Sequence, residues 1–219
     1  MIMKREKMEA GKKDGEDGEI RDLLILFADI RHFSSITQQV ELLYIRDFLN
    51  DFYGQFVQVI GSQHGEVNKF LGDGALAVFA STENGASPFD AAALAAIELY
   101  DHFIKLSKSW KLVQECFGAA DLGVGVSFGT VFWGKLGAME HCECTAVGHA
   151  VNVAQRLAAD CGAGGVFCSA PVQRALQDKR VCTDYFGKID LRGIEGREEV
   201  YRLFFAQNRQ GQESPSTGS

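Results

Sequence analysis

The stretch Leu-Leu-Ile-Leu-Phe-Ala-Asp at 23–29 constrains this chain most, because six consecutive apolar residues are closed there by a carboxylate. So short a run suits a buried strand and leaves an aspartate at its carboxyl end. Ile45, Phe48, Leu49, Phe52, Phe56 and Val59 then recur at helical spacing, so an amphipathic helix comes next. The segments 66–70 and 75–80 flank Leu-Gly-Asp-Gly, which reads as a hairpin whose glycines supply positive φ. Pro88 opens a second helix, and 121–129 supplies another strand.

The succession β-α-β-β-α-β predicts an α+β fold with a ferredoxin-like core, in which the third strand lies antiparallel between the first and the second. Asp29, ending the first strand, then lies beside Asp73, at the start of the third. After this core the sequence predicts a ribbon over 130–137, a helix over about 150–160, a strand near 165–169, a short helix from Ser169 and a final strand over 199–205. With 219 residues and 46% hydrophobic content the chain can bury one substantial core. The domain is expected over 20–206, with a flexible segment or linker end at 1–19 and a disordered tail at 207–219.

A formal charge of −7 argues against a nucleic-acid binder, so any phosphate site has to be local. No apolar run reaches the ~18 residues that span a bilayer, and no signal-peptide core precedes the charged head. A cytoplasmic location without a membrane segment is therefore expected. The six cysteines read as reduced thiols, in preference to a metal site at His141, Cys142 and Cys144.

Asp29 is followed by Ile-Arg-His-Phe-Ser-Ser, whose amides would open a helix, so a carboxylate and an anion-binding helix terminus adjoin. Alone, that segment reads better as an ordinary strand-end aspartate capping a helix. Asp73 changes the reading, since two adjacent carboxylates repel unless a cation lies between them. Asn152 and Arg156, four residues apart, share one face of the predicted helix.

The strings FADIRHFS, NKFLGDGALAVF, GTVFWGKLG and CTAVGHAVNVAQRL resemble, in this order, the motifs of class III adenylyl and guanylyl cyclases, over roughly residues 22 to 205. The resemblance implies that Asp29, Asp73 and the carbonyl of Ile30 hold two magnesium ions, with manganese as a possible substitute. It also implies that amides around Phe33 and Ser34 hold the β- and γ-phosphates. Lys69 and Thr145 match the pair that reads the base. Lysine only donates hydrogen bonds and threonine does both, which suits adenine better than guanine and favours ATP over GTP.

By the same resemblance Asn152 holds the ribose and Arg156 the α-phosphate, while Arg192 or, equally, Arg197 reaches the terminal phosphates. The implied assembly is a head-to-tail homodimer with two-fold symmetry. One subunit brings the aspartates of a site, and its partner brings the lysine, threonine, asparagine and arginine. Phe132, Trp133 and Leu136 would form a ribbon-like dimerisation arm, and an upstream sensor domain is compatible with the charged head. The implied product is cyclic AMP, with pyrophosphate leaving.

Two departures stand out. His149 occupies a helix start where many relatives have aspartate, which weakens the cap. GVSFG replaces the commoner G-I-H-T-G or G-I-H-S-G. The rival readings are a guanylyl cyclase, a silent nucleotide-binding cyclase-homology regulator, and a diguanylate cyclase, whose G-G-D-E-F turn is here replaced by FLGDGA.

Overall fold

A computed structural model describes residues 18–81, 87–138 and 141–207. Of the expected flexible head only Gly18 and Glu19 fall among these, and of the expected tail only Gln207. The rest of both segments lies outside the described residues.

The apolar run lies within strand β1 (Glu19–Arg31), which is longer than 23–29 at both ends. A five-residue helix, α1 (Phe33–Thr37), follows, and then α2 (Leu42–Ser62), whose buried face carries Ile45, Phe48, Phe52, Phe56 and Val59 as the periodicity predicts. Strands β2 (Glu66–Leu71) and β3 (Gly74–Phe79) form the hairpin, with Gly72 at φ 66° in its turn. Helix α3 (Pro88–Lys111) starts with Pro88 in its first turn, and the Ser87 hydroxyl accepts the Asp90 N–H as a cap.

Strand β3 runs antiparallel between β1 and β2, and β4 (Asp121–Ala138) runs antiparallel along the other side of β1. This is the ferredoxin-like arrangement read from the sequence. The sheet of eight strands continues from β4 through β6 (Gly165–Ser169) and β8 (Glu198–Phe205) to β7 (Val181–Ile189). Three features go beyond the sequence reading. The expected ribbon is not a separate element but the distal part of β4, an 18-residue strand whose end pairs with β5 (His141–Val147). Strand β7 is an addition, as is a 3₁₀ turn at Glu115–Ala119. The later helices α4 (His149–Asp160) and α5 (Ala170–Ala175) fall where expected.

Alternation along β1 sorts the core into two layers. Leu24, Leu26, Ala28 and Ile30 join the residues of α2 and α3 on one face. Leu23, Ile25 and Phe27 join Ala150, Ala154 and Ala158 of α4 and Ala146 of β5 on the other. Asp29 has the parity of the second set, so it extends toward the α4 side at the end of the strand. The spacing there depends on two glycines, because a Cβ on Gly123 would lie 2.0 Å from the Ala158 carbonyl oxygen and one on Gly125 2.1 Å from that of Ala154. Helix α4 therefore rests directly on the backbone of β4.

Candidate active site

Asp29 and Asp73 come together as the topology requires. Asp29 stands opposite Gly74 in the β1–β3 register, and the Ile30 N–H donates to the Asp73 carbonyl at 3.2 Å. Within a strand a residue's N–H and C=O point to the same side, so the Ile30 carbonyl also faces this turn. Burial pushes the Asp29 carboxyl above the usual carboxylate range, the Asp73 charge pushes it further, and the Arg31 guanidinium opposes both. The turn itself is held from α2, where the Tyr53 hydroxyl donates to the Gly72 carbonyl and the Tyr53 ring stacks on Phe70 at 4.2 Å.

Among the described residues no group of three or more His, Cys, Asp or Glu side chains is arranged to hold a metal. The His141 part of the cysteine alternative lies outside the described side chains. What Asp29, Asp73 and Ile30 offer is an all-oxygen donor set, two carboxylates and one carbonyl. That chemistry fits magnesium or manganese, and a cation there would reverse the repulsion felt at Asp29.

Beside this pair, α1 opens at Phe33 after His32, which adopts a left-handed φ of 63°. The His32 carbonyl accepts the N–H groups of Ser35 and Ile36, while the amides of Phe33 and Ser34 precede the first intrahelical bonds. Arg31 turns away, its guanidinium donating to the carbonyls of Ala159 and Gly162 and so tying the end of β1 to the end of α4. Sequence reading missed Arg31, Tyr53 and the two contact glycines, since each acts through backbone that only the folded chain brings near.

A second cluster forms where β5 reaches β2. Across this seam Lys69 Nζ donates to Glu143 Oε2 at 3.3 Å and the Thr145 hydroxyl lies 3.5 Å from Asn68 Oδ1. Thr145 is 7% exposed, with Ala146 packed beneath the same strand. From β5 the chain passes through Gly148 directly into α4, whose start has no side-chain cap; His149 instead lies 3.9 Å from Glu198. Asn152 is exposed and Arg156 half-buried on this helix. Among the described residues the Arg156 guanidinium has no ion-pair or hydrogen-bond partner.

Arg192 and Arg197 lie in the loop between β7 and β8. The Arg192 backbone N–H donates to Asp160 at the end of α4 at 3.3 Å and its side chain is exposed, whereas the Arg197 guanidinium is bound by Asp190 at 3.2 Å. That engagement distinguishes two arginines the sequence left equal. The buried Cys161 and Cys168 play no part, since burial pushes their thiols up to about 11 and about 12. No helix among the described residues is long and apolar enough to cross a membrane.

The family model for the adenylate and guanylate cyclase catalytic domain matches residues 17–205. An adenylate cyclase of Anabaena cylindrica is 32% identical over 139 residues, 63% of this chain and 27% of that protein. An uncharacterized protein of Mycobacterium tuberculosis strain H37Rv is 34% identical over 140 residues, 64% of this chain and 24% of that protein. The chain thus spans about a quarter of the length of these curated relatives. Among solved structures, the guanylyl cyclase Cya2 superposes with a TM-score of 0.74 at 22% identity, covering 85% of this chain and 93% of that one. A bacterial light-regulated adenylyl cyclase superposes with a TM-score of 0.73 at 25% identity, covering 86% and 53%.

Proposed function

Because this chain belongs to the adenylate and guanylate cyclase catalytic domain family, we propose that it converts ATP to 3′,5′-cyclic AMP and pyrophosphate at sites shared by two copies arranged head to tail. The observation that supports this reading is the seam between β2 and β5, where Lys69 bonds Glu143 and the buried Thr145 lies against Asn68, so that residues distant in sequence share one seam. A lysine donor beside a hydroxyl suits adenine N1 and the exocyclic amine.

In this reading the Asp29–Asp73 pair and the Ile30 carbonyl of one protomer hold two magnesium or manganese ions. These supply positive charge that lowers the pKa of the ribose 3′-hydroxyl and neutralises the phosphates. The Phe33 and Ser34 amides hold the β- and γ-phosphates. The partner protomer contributes Lys69 and Thr145 to the base, Asn152 to the ribose and Arg156 to the α-phosphate, with Arg192 toward the terminal phosphates. The 3′ oxygen forms a bond to the α-phosphorus, the bond from that phosphorus to the pyrophosphate oxygen breaks, and the hydroxyl proton leaves to solvent. Nucleophile and electrophile belong to one molecule, so the residues act by folding it into line and by meeting charge as it grows on the α-phosphate.

Exposed apolar residues on the two hairpins support the dimer. Leu136 and Val147 lie on the β4–β5 ribbon and Phe70 and Leu71 at the tip of β2, all between 41% and 55% exposed. One observation favours GTP instead: Glu143 brings a carboxylate to Lys69, and a carboxylate accepts the ring N–H and amine of guanine. Incubating the purified chain with ATP or GTP and magnesium or manganese, and weighing the products, decides between them. Cyclic AMP as the main product supports the proposal, and cyclic GMP as the main product, or no cyclic product with either metal, overturns it.

A further inference from the structure

The strands that carry Lys69 and Thr145 are not hydrogen-bonded neighbours, for β2 pairs with β3 and β5 with β4. Side chains join them, and a fault in β2 makes this possible. Val67 stands opposite Ala77 and Lys69 opposite Leu76, which leaves Asn68 as the extra residue of a bulge. In a regular strand Asn68 and Lys69 would project to opposite faces, whereas a bulge re-aims the side chains on it. Here both reach β5. Lys69 donates to Glu143, and Asn68 Nδ2 donates to the Cys144 carbonyl at 3.0 Å.

That last bond fixes which way the amide points. A carbonyl oxygen only accepts, so the NH₂ end of Asn68 faces Cys144 and the oxygen end is left for Thr145, 3.5 Å from its hydroxyl. A threonine hydroxyl has a single proton. Once that proton is directed at Asn68, only lone pairs remain toward a bound base, and these accept from an exocyclic amine but repel a carbonyl oxygen. At 7% exposure, Thr145 has little access to water that would make good a mismatched partner.

We propose that Asn68 is a positioning residue for base selection. The β2 bulge turns its amide to take the Thr145 proton, so that the hydroxyl is an acceptor matched to the 6-amino group of adenine and opposed to the 6-oxo group of guanine. This deepens the adenylyl reading above and rests on it. A 3.5 Å separation is long for a hydroxyl bond, so the selection amounts to a single weak hydrogen bond, about fivefold in preference.

The test measures kcat/KM for ATP and for GTP on the full chain, wild type and variants, with magnesium. Asn68→Ala lowers the ATP:GTP ratio about fivefold. With Thr145→Val already present, Asn68→Ala no longer changes the ratio, because there is no hydroxyl left to orient. Asn68→Val carries the same expectation as alanine and keeps the test open should the alanine variant fail to fold. An unchanged ratio in both the alanine and the valine variants, or an equal effect with and without the Thr145 hydroxyl, overturns this inference while leaving the adenylyl reading intact. A wild-type chain that cyclises GTP better than ATP overturns that reading and this inference with it.

Discussion

The Asp29 carboxyl keeps its proton more readily than an ordinary carboxyl, since burial and Asp73 both favour the proton there and only Arg31 opposes them. Its folded-state pKa is raised above the unfolded value, so the folded chain keeps the proton better than the unfolded one. The stability this group contributes is present at low pH and is lost as pH rises through the raised value. At pH 7 without divalent cations, Asp29→Asn therefore melts higher than wild type, and the gain disappears as pH falls into the ordinary carboxylate range. Thermal melts in chelator check this, and a lower neutral-pH melting temperature for the variant would count against a strained carboxylate pair. Arg156, half-buried and without an ion-pair or hydrogen-bond partner among the described residues, is the complementary case. Arg156→Ala is expected to lower kcat about 100-fold, or ~3 kcal/mol of transition-state stabilisation, with little change in the melt. Lys69→Glu combined with Thr145→Cys should weaken the preference for ATP over GTP, measured as the ratio of kcat/KM values. Asp29, Asp73, Lys69, Thr145, Asn152 and Arg156 are all visible in the sequence because their chemistry sits in short ordered strings. Asn68 and Glu143 lie in or beside those strings and escape notice, since strict alternation sends Asn68 to the wrong face and the bulge leaves no sequence mark.

Helix α4 carries Asn152 and Arg156, and its height above the sheet is set by two missing side chains. A methyl group on Gly125 would sit 2.1 Å from the Ala154 carbonyl oxygen, a backbone atom that cannot step aside. Gly125→Ala is expected to destabilise the fold by about 1–3 kcal/mol and, by lifting α4, to lower activity more than that loss of folded protein accounts for. Denaturant unfolding together with kcat on the folded fraction separates the two effects. The amphipathic helices were legible because Phe48, Phe52 and Phe56 repeat on one face, and the first hairpin because Gly-Asp-Gly punctuates it. Strand β7 was not, for Val-Cys-Thr-Asp-Tyr-Phe-Gly-Lys-Ile lacks a buried face, and its register shifts between Tyr185 and Gly187. The length of β4 was hidden because the chain reads as a strand over 121–129 followed by a separate ribbon over 130–137, whereas the two are one strand, within which Gly123 and Gly125 are points of close helix contact.

At the scale of the molecule, one chain carries, in the proposed reading, two unlike halves of a site. The carboxylates lie where β1 ends beside the β2–β3 turn, and the charges that act on Asp29 are those of Asp73 and Arg31 rather than of Arg156. Lys69, Thr145, Asn152 and Arg156 lie along β2, β5 and α4. Arg31 joins the two halves mechanically within each protomer by fastening the end of β1 to the end of α4. The central claim is that the first half of one protomer and the second half of its partner act on the same ATP. It is tested most directly by mixing Asp29→Ala with Asn152→Ala, each inactive alone, under conditions in which subunit exchange is demonstrated. Shared sites predict that activity returns, because half of the mixed dimers' sites combine two intact halves, approaching about a quarter of the wild-type value at equal mixing. A mixture that exchanges subunits freely yet remains inactive would contradict the account.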